Sequence, residues 1–151
     1  MEPIRSVGDD GEAREFFPVR CVGRDGQEST FYYEQEWSEL DETWDIRVHP
    51  KPRLDAATHW FSVRFKEYDA NTLLVYDQKK DNPDRLGGKG ILDAVIPAAA
   101  HIFEKRIVSS STKYPKYPNE SLNCAGAKVW LRLQDRGLAV YRPKEDRFFL
   151  L

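Results

Sequence analysis

At 151 residues the chain is long enough for one compact domain with a closed core and too short for two of ordinary size. Its 40% apolar and 13% aromatic residues exclude disorder of the whole chain, and 32% charged residues can cover the surface of a globule. The 23 basic and 25 acidic side chains give a formal net charge of -2, which argues against nonspecific binding to the phosphate backbone of nucleic acid.

Residues 1–15 are rich in Gly, Asp and Glu with little periodicity, so they read as a mobile arm or as a short helix over residues 12–16. From residue 17 to 78, β-branched and aromatic residues cluster in runs at 18–22, 30–35, 44–48, 59–68 and 72–77, which predicts a meander of antiparallel strands. Arg24-Asp25-Gly26 and Asp69-Ala70-Asn71 carry the turn chemistry between them. Alternation in the fourth run puts Phe61, Val63 and Phe65 on the core face.

A charged, glycine-rich loop over 79–90 precedes a helix. Ile91, Leu92, Val95, Ile96, Ala99, Ile102 and Phe103 recur at helical spacing and predict a buried stripe ending near Lys105. Pro97 lies inside this stripe, where it removes one backbone hydrogen bond and predicts a kink or a restart. Ile107 and Val108 read as a short strand and residues 109–119 as a loop. A second helix, capped by Ser121 or Asn123, then buries Val129, Trp130 and Leu133 and stops at Gly137, and a hairpin of 138–141 with 147–151 closes the chain.

The run Arg85-Leu86-Gly87-Gly88-Lys89-Gly90 opens the apolar helix directly. Glycines let backbone N–H groups approach an anion, and the helix N-terminus adds partial positive charge, so the run can hold a pyrophosphate or can serve only as a flexible loop. It resembles the (Arg/Gln)-x-x-Gly-x-(Gly/Ala) signature of the GCN5-related N-acetyltransferases (GNATs), with Arg85, Gly88 and Gly90 at the signature positions. The order that follows in that family, strand, helix with Asn-x-x-Ala-x-x-x-Tyr and a terminal strand pair, is matched here by Asn123, Gly126 and Trp130 at the same offsets and by the closing hairpin.

The resemblance implies an α+β fold: one domain over 1–151, with a mixed, mostly antiparallel twisted sheet flanked by helices and a β-rich N-terminal half. It implies an acetyl-CoA-dependent N-acetyltransferase acting on an amine acceptor, with acetyl-CoA as cosubstrate. The backbone of Leu86, Gly87, Gly88, Lys89, Gly90 and Ile91 would wrap the coenzyme A pyrophosphate, with Arg85 also in the cofactor site, and Asn123 would face the pantetheine. A bulky residue at Gly88 or Gly90 would then abolish cofactor binding while leaving the fold intact.

The chain departs from the family at Trp130, which replaces a tyrosine that protonates the leaving thiolate, and in its N-terminal strands, which stand where the family places two helices. It is also similar to divergent acetyltransferase-like proteins of bacteria and their phages, through Trp130-x-x-Leu133 followed by Gly137-x-Ala139. The alternative reading is therefore a noncatalytic interaction protein on the same scaffold.

For the enzyme, Glu67 or Asp77 offers a base beside the phosphate loop, and Tyr141 a replacement acid, although surface and rim positions are the ordinary roles of such residues. Ser109, Ser110 and Ser111 offer donors to a ligand or to a turn. The basic stretch 113–116 could attract an anion or be solvated surface. Two distant cysteines, Cys21 and Cys124, and scattered histidines at 49, 59 and 101 give no metal site and point to reduced thiols. No leader pattern and no ~20-residue apolar window is present, so the expectation is a cytoplasmic chain with no membrane contact.

Overall fold

A computed structural model describes residues 3–7, 11–52, 61–80 and 89–151. Among them are nine strands and two helices, an α+β chain with a mostly antiparallel sheet. The contacts gather into two compact units. One takes residues up to Arg64 with the described part of 78–94, and the other takes 65–77 and 95–151.

In the first unit, β1 (Ile4–Val7), β2 (Ala13–Val22), β3 (Glu28–Ser38) and β4 (Thr43–His49) lie side by side in chain order, with the start of β5 (Phe61–Asp69) next to β4. The three pairings from β1 to β4 are antiparallel. The β2–β3 turn forms at the expected Asp-Gly pair. Asp25 Oδ1 accepts the Gln27 amide at 3.0 Å, and Gly26 takes φ +79, which glycine adopts without strain. The hairpin of β3 and β4 places Trp37 opposite Trp44, with ring centroids 5.2 Å apart.

The N-terminal expectation needs correction. Residues 12–16 form no helix, because Arg14 and Phe16 alternate with Glu15 and Phe17 in a strand that pairs Ile4 with Phe16 and Val7 with Ala13. Phe16 is fully buried, and that burial drives the pairing.

In the second unit the remainder of β5 neighbours β6 (Thr72–Lys80), and β6 neighbours β7 (Arg106–Val108). Then come β9 (Arg147–Leu150) and β8 (Ala139–Arg142). The β5–β6 turn is the expected one, with Asp69 Oδ1 accepting the Asn71 amide at 2.9 Å. The β6–β7 pair is parallel, joined by α1 (Ile91–Phe103), whereas β7–β9 and β8–β9 are antiparallel. A parallel pair needs a crossover of this length, and the amphipathic α1 supplies it.

The two helices bury most of the stripes read from the sequence: Ile91, Leu92, Val95, Ile96 and Ala99 on α1, where Ile102 and Phe103 are only half-buried, and Val129, Trp130 and Leu133 on α2 (Cys124–Asp135). Pro97 sits within α1, which runs through it as one helix. Phe61, Val63 and Phe65 are all buried, as the alternation requires. Both helices end in a six-to-one bond, Lys105 N–H to the Ala100 carbonyl and Leu138 N–H to the Leu133 carbonyl. The left-handed cap residues are Glu104 and Gly137. No described helix is long and apolar enough to cross a membrane.

Candidate functional site

The glycine run enters the described residues at Lys89, and Arg85, Leu86, Gly87 and Gly88 lie outside them. Lys89 is exposed, and Gly90 accepts the Ala94 amide at 3.2 Å, which makes it the cap of α1. The N–H groups that follow, in the first turn, have no partner within the helix and carry its partial positive charge. Asp93 in that turn answers the dipole and opposes an incoming anion, while Lys89 offsets it.

Gly90 has φ +75, and a β-carbon there would stand 2.0 Å from the Val22 carbonyl oxygen of β2. Close approach of two backbones therefore demands glycine at this position. The expectation that a bulky residue at Gly90 leaves the fold intact is corrected: it would drive β2 from the start of α1.

In the second unit the parallel pairing stops early. Thr72, Leu73 and Leu74 face Arg106, Ile107 and Val108, and then β7 ends while β6 continues to Lys80. Beyond this point the Val75 carbonyl accepts the Ser110 hydroxyl at 2.6 Å, a side-chain bond where the strand pairing has ended.

The three serines that follow β7 are buried and internally bonded. Ser109 Oγ donates to the Ser110 carbonyl and accepts the Phe148 amide, both at 2.9 Å. Ser111 Oγ donates to Asp146 at 2.8 Å and accepts the Tyr114 amide at 2.9 Å. They build the turn.

Asn123 is the cap of α2, its side-chain oxygen accepting the Gly126 amide at 2.7 Å. Trp130 is 1% exposed and stacks on Phe148 at 6.0 Å, a core position that keeps its indole from solvent. Glu67 and Asp77 are exposed on the neighbouring strands β5 and β6. Tyr141 lies on β8, and β7 and β9 intervene between it and β6, a separation of roughly 14 Å at ~4.8 Å per strand. The fold therefore does not gather these three side chains.

The Tyr141 hydroxyl donates to Asp146 at 2.6 Å, and that bond, with the negative charge beside it, raises the tyrosine pKa above its ordinary value. The same bond, joined by the one from Ser111, holds Asp146 below the usual carboxylate range.

Two buried ionic clusters were not found from sequence. Glu120 and Arg147 form an ion pair at 2.6 Å with side chains 0% and 2% exposed. Glu120 also accepts the amides of Ser111, Lys116 and Tyr117, while Arg147 donates to the carbonyls of Ser109 and Tyr114. In the first unit Glu34 meets His49 Nε2 at 2.7 Å and Arg14 at 2.8 Å. Burial raises the Glu34 pKa, but the bonds from His49 and Arg14 outweigh it and leave the carboxyl below its ordinary range. Each pair joins residues far apart in sequence, so no local pattern announces it.

No group of three or more metal-binding side chains occurs among the described residues. No protein-family model, curated protein or solved structure matches the chain.

Proposed function

We propose that the chain is a divergent GNAT-like domain that transfers an acetyl group from acetyl-CoA to an amine. The observation that carries the reading is the short parallel pair: β6 and β7 share three residue pairs before β7 ends, and the Ser110 hydroxyl bonds the next β6 carbonyl. The order around it supports the same reading. The glycine run lies between β6 and α1, β7 precedes α2, and β9 lies between β7 and β8. In the resembled family the pantetheine enters beside the corresponding parallel pair and the pyrophosphate rests on the amides before the first of these helices.

In the reaction the amine nitrogen attacks the thioester carbonyl, the C–S bond breaks, and the thiolate leaves as coenzyme A while the amine loses a proton. Asp77 or Glu67 is the base in this reading. Thiol release from acetyl-CoA with a panel of primary amines tests the transfer, and a rate equal to that without protein counts against it.

A noncatalytic binding role, including one related to phage proteins, is favoured by two observations: Trp130 is locked in the core at the tyrosine position, and Tyr141 is held by Asp146. Acetyl-CoA binding without turnover would select it.

A further inference from the structure

The loop between β7 and α2 contains the tandem Lys113-Tyr114-Pro115-Lys116-Tyr117-Pro118, the basic stretch that acyl transfer leaves unused. The rest of the second unit holds it in shape. The Tyr117 hydroxyl donates to the Glu67 carbonyl, the Lys116 ammonium to the Tyr68 carbonyl, and the Tyr76 hydroxyl to the Pro118 carbonyl at 2.9 Å. From inside, Glu120 takes the amides of Lys116 and Tyr117.

Beside this loop lies a cavity of about 420 Å³ lined by Tyr68, Tyr114, Lys116, Lys144, Glu145 and Arg147, within the size range of small-molecule sites. We propose that it binds a phosphate monoester carried on a planar ring with an exocyclic amino group, the chemistry of a cytidine or adenosine nucleotide.

Each part of the ligand answers a part of the wall. Glu120 answers the Arg147 charge from behind, so Lys116 and Lys144 supply the positive charge that a phosphate takes up as charge-assisted bonds. Arg147 and Lys116 lie 4.8 and 5.4 Å from the centroid of Tyr68, so that ring is already engaged by cations. Tyr114 is 51% exposed, with the Lys113 ammonium 5.3 Å from its ring centroid, and a planar ligand would stack opposite that cation or in its place. Glu145 is the acid of the lining. It disfavours a ligand that is anionic throughout, and it accepts from an amino group as carboxylates do from cytosine.

All six residues belong to the second unit and none to the glycine run, so the inference stands apart from acetyl-CoA binding. The test is calorimetric titration of the full chain with cytidine monophosphate, uridine monophosphate and inorganic phosphate at low salt. The expected result is tightest binding of cytidine monophosphate, weakening as salt rises. Lys144→Gln and Tyr114→Ala should each weaken it by about fivefold, with unchanged thermal midpoints.

A 5′-phosphorylated hexanucleotide ending in cytidine distinguishes the sources: tighter binding than the mononucleotide assigns the site to nucleic acid ends, weaker binding to free nucleotides. Equal affinity for inorganic phosphate and cytidine monophosphate would overturn the ring, and binding unchanged by Lys144→Gln would overturn the site.

Discussion

Gly90 and the Val22 carbonyl approach so closely that a β-carbon on Gly90 would stand 2.0 Å from that oxygen. Gly26 shares the left-handed backbone, at φ +79, but has open space where its β-carbon would lie. Gly26→Ala should therefore cost about 1 kcal/mol of backbone strain. Gly90→Ala should cost roughly 3 kcal/mol or more, since the start of α1 or β2 must also move. Urea denaturation of both variants measures the difference, and equal losses would show that the clash is relieved elsewhere.

The Glu120–Arg147 pair fixes the loop that leads from β7 to α2. Removing one partner leaves a buried charge unanswered, so Arg147→Met and Glu120→Gln should each cost about 3–5 kcal/mol. The double variant should cost clearly less than the sum. A double-mutant cycle in urea checks this, and simple additivity would mean that the pair does not act as a unit.

What could be read from the sequence was whatever local pattern determines. The Asp25-Gly26 and Asp69-Asn71 turns, the alternation of Phe61, Val63 and Phe65, and the α1 and α2 stripes each depend on neighbours a few residues away. Phe16 went unrecognised because its strand depends on pairing with Ile4 across a polar segment. The role of Gly90 could not be read because Val22, the residue that requires it, lies 68 positions earlier (90 − 22). In the candidate site, the sequence offers Ser121 or Asn123 as the cap of α2, and the 2.7 Å bond to Gly126 shows that Asn123 is the cap.

The two cysteines should differ sharply as nucleophiles. Cys21 is fully buried in β2, and burial, with the Asp93 charge second, pushes its thiol up to about 11. Cys124 is exposed at the start of α2. A chromogenic disulfide at pH 8 should titrate one thiol within minutes and the second only in denaturant. Two fast thiols would show that β2 opens readily.

Glu34 should make stability depend on acid. Its folded pKa lies below the ordinary glutamate value of 4.5, so its contribution is complete above that value and is lost as pH falls through the folded value. Glu34→Gln should be less stable than the parent at pH 7, and the gap should narrow below about pH 4.5. Urea midpoints between pH 7 and 3 measure it. A gap that stays constant would mean that the bonds from His49 and Arg14 do not favour the carboxylate.

The most direct test of acyl-CoA recognition is thermal unfolding of the chain with acetyl-CoA and with coenzyme A. Saturation at about a hundred times the dissociation constant adds ~2.7 kcal/mol, which raises the midpoint by roughly 5–10 °C for a chain of this length. Acetyl-CoA and coenzyme A should both give that rise. A midpoint unmoved by millimolar acetyl-CoA would contradict acyl-CoA recognition.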